Sequence, residues 1–209
     1  MLISPSKRYV IKFEDLNSIA NHMGSLSPTC IMSNKLMTRT IFEVPGKDTM
    51  WLRVRTGDVD CAYNPITTAS LLDKTSHEEG ARPIKKSIDL QLTDYYNDVA
   101  FFQSMGLPVV SEQETKRTKW ICHYDGIKYT ICFDVWPLLS QYIFISITPA
   151  TNADDDDLEG FINFTRVKEY NLDDFPTDVD EAFSQVTGQT ARAYRYLRFD
   201  PHFVIPCVV

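Results

Sequence analysis

The sequence predicts an α+β fold, an antiparallel β-barrel or tunnel of about seven or eight strands with helices at its periphery. Three observations lead there. Segments of strand length alternate polar and apolar residues along most of the chain. Turn-forming residues join several of these segments as hairpins. Trp51-Leu52-Arg53-Val54-Arg55 then shows what one strand face carries: Arg53 and Arg55 point one way, Leu52 and Val54 the other. Arg8 and Lys12 repeat the pattern, as do Arg117 and Lys119. Several strands with cations on one side and hydrophobes on the other predict a cavity that grips a polyanion.

The elements follow in order. Tyr9 to Phe13 is a first strand, and Asp15 to Met23 a short helix with Asp15 as its N-cap. Lys35 to Val44 alternates as a second strand. Pro45-Gly46-Lys47-Asp48 turns the chain into a third, from Met50 to Arg55. From Tyr63 to Pro83 the regular signals fade, which predicts a long mobile loop over 63–83. Ser87 to Leu92 alternates again. Asp94 opens a helix of about ten residues that stops at Gly106. Thr115 to His123, Lys128 to Val135 after the Tyr124-Asp125-Gly126 turn, and Gln141 to Thr148 complete the strands. Asp154 to Asp157 is a solvated loop or the first turn of a following element. Asp178 to Thr187 forms a helix ending at Gly188, and Ala191 to Arg198 is read as another. No linker divides the chain, so residues 1–209 are taken as one domain.

Composition narrows the function classes. Of the 209 residues 44% are hydrophobic and 23% charged, an ordinary globular balance. A net charge of -7 argues against non-specific nucleic-acid binding. It leaves room for a small phosphorylated ligand in a locally basic pocket. No apolar run reaches the roughly 20 residues of a membrane helix, and Ser4, Ser6, Lys7 and Arg8 interrupt any leader-like start. The five cysteines show no Cys-x-x-Cys spacing and most of them read as small buried hydrophobes, with a cytoplasmic setting as the default. Neither the four histidines nor the Asp154–Asp157 run has metal-ligand spacing. The three tryptophans read as core. Walker, Gly-x-Ser-x-Gly and Gly-x-Gly-x-x-Gly motifs are absent.

The ordered set of elements resembles the CYTH group, the triphosphate tunnel metalloenzymes, which includes thiamine triphosphatase, inorganic triphosphatases and class IV adenylyl cyclases. The set comprises Lys12 at the end of the first strand, the Trp51–Arg55 strand, the alternating strand at 87–92, Met105-Gly106-Leu107, the basic strand ending at Trp120, and Ile131-Cys132-Phe133-Asp134-Val135. The resemblance implies a nucleotide or other triphosphate as ligand, Mg2+ or Mn2+ as cofactor, and hydrolase or cyclase chemistry. Carried over by position, Lys12, Arg53, Arg55, Arg117 and Lys119 would grip phosphate. Lys85 or Lys86 would add a further cation, Lys86 being the candidate taken. Asp89, beside Gln91, and Asp134 would hold the metal, with Glu43 as a further acid to consider.

The departures are on the metal side. The group's first strand reads Glu-x-Glu-x-Lys, where this chain has Arg8-Tyr9-Val10-Ile11-Lys12. Its late glutamate pair is replaced by Tyr142-Ile143-Phe144-Ile145-Ser146-Ile147. Mg2+ prefers carboxylate and phosphate oxygens, which Val10 and Ser146 do not supply. The phosphate-gripping side is better kept than the metal-holding side, which favours binding over turnover. The other readings are a catalytically inactive relative that sequesters or senses a nucleotide, and a protein-interaction scaffold.

Overall fold

Sheet pairing dominates the architecture, and the helices attach to it. The computed structural model describes residues 6–75, 84–150, 153–200 and 205–206. The strands are β1 (Lys7–Lys12), β2 (Thr29–Glu43), β3 (Met50–Val59), β4 (Pro65–Thr75), β5 (Ile84–Leu92), β6 (Val109–Tyr124), β7 (Ile127–Val135), β8 (Tyr142–Pro149), β9 (Tyr194–Leu197) and β10 (Ile205–Pro206). The helices are α1 (Leu16–Met23), α2 (Tyr95–Ser104), α3 (Asp155–Thr165) and α4 (Val179–Thr187). The strands hydrogen-bond in the order β1-β8-β7-β6-β2-β3-β4-β5, with β9 parallel to β6 and β10 antiparallel to β9. The α+β, mainly antiparallel class is as expected. Closure into a barrel is not: no ladder among the described residues joins β1 to β5.

The chain divides into two compact units, Met1–Lys35 with Thr115–Thr190, and Leu36–Glu114 with Ala191–Val209. In the first, one face of β1, β8, β7 and β6 carries the apolar half of each alternation. Ile11, Ile143, Ile145, Ile131 and Phe133 pack there with Ile19 and Met23 of α1 and Leu158, Phe161 and Ile162 of α3. Tyr129 stacks on Phe161 at 3.9 Å. The acidic run at 154–157 starts α3 through a capping box: the Asp154 carboxylate accepts from the Asp157 N–H, and Asp157 returns a bond to the Asp154 N–H. Asp15 stands at the N-cap of α1 but makes no capping bond with its side chain.

In the second unit, Phe42, Leu52, Val54 and Ala69 form an apolar face on β2, β3 and β4, against which Tyr95, Val99 and Phe102 of α2 pack. Asp94 caps α2 by accepting from the N–H groups of Tyr96 and Asn97.

Two further expectations fail, both of local structure. Pro65–Thr75, expected to be loop, is strand β4, paired in register with both β3 and β5; residues 76–83 of that segment lie outside the described residues. Ala191–Arg198, expected to be helix, is a single 3-10 turn followed by β9. Long-range bonds override its local preference: the Ser111 hydroxyl donates to the Tyr194 carbonyl at 2.6 Å, and the Gln113 amide donates to the Ala191 carbonyl at 3.1 Å.

Candidate functional site

In the second unit, register decides which side chains share a face. Across the antiparallel β2–β3 ladder Arg39 pairs with Arg55, and Ile41 with Arg53. Arg53 then pairs with Ser70, and Arg55 with Thr68, on β4. Opposed residues of a ladder lie on one side of the sheet, so Arg39, Arg53 and Arg55 share the face opposite the α2 core, with the hydroxyls of Ser70 and Thr68 beside them. Arg39 is only 6% exposed. Arg53 and Arg55 are half-buried, and Arg53 donates through Nη2 to Ser70 Oγ at 3.2 Å.

A bulge adds an acid to this face. Between Arg55 and Asp58 the β3–β4 register slips by one residue. Residues three apart on a regular strand face opposite ways; the extra residue turns Asp58 back, and its Oδ2 lies 3.6 Å from Arg55 Nη2. Gly57 makes the bulge possible. Its φ is +89°, and a Cβ there would meet the Leu36 carbonyl oxygen at 2.6 Å. At one end of the face the Arg192 guanidinium lies 4.0 Å over the Trp51 ring.

In the first unit, the ladders of β1, β8, β7 and β6 align two rows on the face opposite the core, Val10–Phe144–Asp134–Arg117 and Arg8–Ser146–Cys132–Lys119. Arg117 and Lys119 are nearly buried, at 8% and 7% exposure. Arg117 meets Asp134 side-on: Nε donates to Oδ1 and Nη2 to Oδ2, each at 2.6 Å. This two-pronged pairing is the strongest geometry available to a guanidinium and a carboxylate.

The expected site residues are therefore distributed over both units. Arg53 and Arg55 come together in one. Arg117, Lys119 and Asp134 share a face in the other. Lys12, also on β1, is exposed and lies 3.5 Å from Glu14. Lys86 and Asp89 stand opposite Asp73 and Ser70 along β5, but their side chains, and that of Lys85, lie outside the described residues. Glu43 is exposed and opens onto a shallow hollow with Pro45, Gln103 and Leu107. Arg39 was missed from sequence. The turn at 45–48 pairs Glu43 with Trp51 and so sets Arg39 against Arg55, and counting back from that turn would have found it.

Mg2+ or Mn2+, which the family resemblance implies, does not fit the residues on the β1-β8-β7-β6 face. Asp134 has both oxygens engaged by Arg117, while Val10 and Phe144 supply no oxygen from their side chains. Among the described residues no three Asp, Glu, His or Cys side chains gather as a metal-binding group.

The fold defines the class, a mainly antiparallel α+β protein, and solved structures share it. The PH1012 protein of Pyrococcus horikoshii is similar at a TM-score of 0.54 and 14% identity, over 84% of this chain and 96% of that one. A conserved hypothetical protein from Pyrococcus furiosus is similar at 0.50 and 12%, over 83% and 96%. A putative adenylate cyclase from Vibrio parahaemolyticus is similar at 0.51 and 11%, over 78% and 86%. At these identities the likeness is one of fold. No protein-family model matches the sequence, and neither does any curated protein sequence.

Proposed function

We propose that this protein binds a triphosphate, or another polyphosphorylated nucleotide, on the guanidinium face of β2 and β3, and that it holds the ligand without turning it over. The observation that carries this reading is the direct opposition of Arg39 and Arg55 with Arg53 two residues away, all on one sheet face. Like charges opposed across a ladder are destabilising. Half-buried guanidiniums also interact with phosphate more strongly than solvated ones would, because the local dielectric is lower and the planar fork meets two oxygens at once. Ser70 and Thr68 add hydroxyl donors. The Thr68 Oγ1 is buried and makes no hydrogen bond among the described residues, as suits a group that completes its bonding on a ligand. The name of the Vibrio neighbour makes adenine nucleotides the first organic ligands to try.

Titration calorimetry with inorganic tripolyphosphate and with ATP tests the reading. The native protein binds at least one of them. Arg53→Ala with Arg55→Ala weakens that binding by about a hundredfold or more, since charge-assisted hydrogen bonds are worth about 1.5–3 kcal/mol each. Silence across a panel of phosphorylated ligands rejects the proposal.

A second reading, a protein-interaction module, draws on the exposed Tyr96 and Phe101 of α2, Met105 just after it, and Ile88 and Leu90 of β5. Ligand-dependent thermal shifts separate the two, because only a ligand-binding protein gains stability from a phosphorylated small molecule.

A further inference from the structure

We infer that the polyanion is held with no divalent cation between it and the protein. The inference rests on the proposed binding of a polyphosphate and adds how the charge is met. A bridging Mg2+ needs near-octahedral oxygen at about 2.0–2.1 Å, with one or two carboxylates from the protein.

On the β1-β8-β7-β6 face the protein has used those places for something else. Val10 is fully buried. Its N–H donates to Asn171 Oδ1 at 3.1 Å, and its carbonyl accepts from the Leu172 N–H at 2.9 Å. The 171–175 segment is thus fastened to β1. Its Phe175 ring stacks on Tyr142 at 4.2 Å and meets Phe144 edge-on at 6.4 Å. An apolar cover therefore lies beside the one row that contains a carboxylate.

That carboxylate, Asp134, is a counter-ion to Arg117. Freeing it for a metal would take the two-pronged partner from a guanidinium of 8% exposure, and breaking so buried a pair is costly. In the other unit the Asp58 carboxylate stands beside Arg55. A divalent cation placed there would meet a guanidinium at contact distance.

In each unit the described acid on the cationic face, Asp134 or Asp58, already stands beside an arginine. Mg2+ that neutralises part of a polyphosphate then removes charge the protein needs. It competes with the protein for the ligand instead of joining the two.

Calorimetry with inorganic tripolyphosphate, once in excess EDTA and once in saturating Mg2+, tests this. The expected result is binding in EDTA with affinity equal to or greater than that in Mg2+. Binding that needs Mg2+, or tightens with it, overturns the inference and leaves the polyphosphate reading standing. No binding of tripolyphosphate in either buffer, with ATP and the other phosphorylated ligands silent as well, overturns that reading and the inference together. A second measurement uses Mn2+ alone, followed by the loss of its free electron-resonance signal. The protein is expected to leave the signal unchanged at millimolar metal, and Asp134→Asn to change nothing. Tight Mn2+ uptake that Asp134→Asn removes would overturn the inference by itself.

Discussion

Arg39 and Arg55 stand directly opposite one another across the β2–β3 ladder, two guanidiniums on one side of one sheet. Cβ atoms so placed are about 4.5–5.5 Å apart, and like charges there cost stability. Arg39→Met keeps the length and apolar stem of the side chain and removes one charge. The variant is expected to unfold at the same or a higher urea concentration than the native protein, and to bind tripolyphosphate about tenfold more weakly or worse. A variant that loses stability and keeps its affinity would make the arginine face structural.

The Arg117–Asp134 pair makes the opposite prediction. Asp134→Ala leaves a nearly buried guanidinium without its two-pronged partner, at an expected cost of about 3–5 kcal/mol in urea unfolding. Replacing both residues together, Arg117→Met with Asp134→Leu, removes both charges and is expected to recover most of that loss. A double variant as unstable as the single one would contradict this account of the pair.

Gly57→Ala tests the bulge. With φ at +89° and the Leu36 carbonyl oxygen in the path of a Cβ, the substitution forces the backbone to move, at about 1–3 kcal/mol. Because the bulge is what turns Asp58 toward Arg55, phosphate affinity should change as well. Unchanged stability would show that the bulge is not needed.

The thiols and one tyrosine give a pH signature. Cys30 and Cys61 are exposed, whereas Cys122 is buried and its thiol is pushed up to about 11 by that burial. A disulfide reagent near pH 8 is expected to modify Cys30 and Cys61 quickly and Cys122 only on unfolding. Tyr9 is raised to about 12, first by burial and then by Glu159. In both groups the fold favours the protonated form, so their contribution to stability is complete below pH 9 and is lost as the pH climbs through 11 and 12. Denaturant midpoints that hold steady from pH 9 to 12 would contradict these shifts.

Much of the sheet was legible because turn chemistry fixes register. The Pro45–Asp48 turn sets the β2–β3 hairpin, and Asp125 and Gly126, both with positive φ, set β6 against β7. The capped helices α2 and α4 were legible for the same kind of reason, a side-chain oxygen where the first N–H groups need one.

β4 was hidden by its function in the sheet. Facing arginines on one side, it carries Thr68 and Ser70 where a buried strand would carry hydrophobes, so its period is muted. β9 was hidden because its conformation is set by bonds to Ser111 and Gln113, roughly 80 residues earlier in the chain. Among the candidate site residues, Arg53 and Arg55 were visible from alternation alone. The register that opposes Asp134 to Arg117 follows by counting out from the Asp125–Gly126 turn, but the two-pronged contact between their side chains does not show in the alternation.

The most direct test of the central claim is a crystal structure of the protein soaked with tripolyphosphate in the absence of divalent metal. Phosphate density is expected within hydrogen-bond distance of the guanidiniums of Arg39, Arg53 and Arg55. Density elsewhere with that face unchanged, or a ligand seen only when Mg2+ is added, would contradict it.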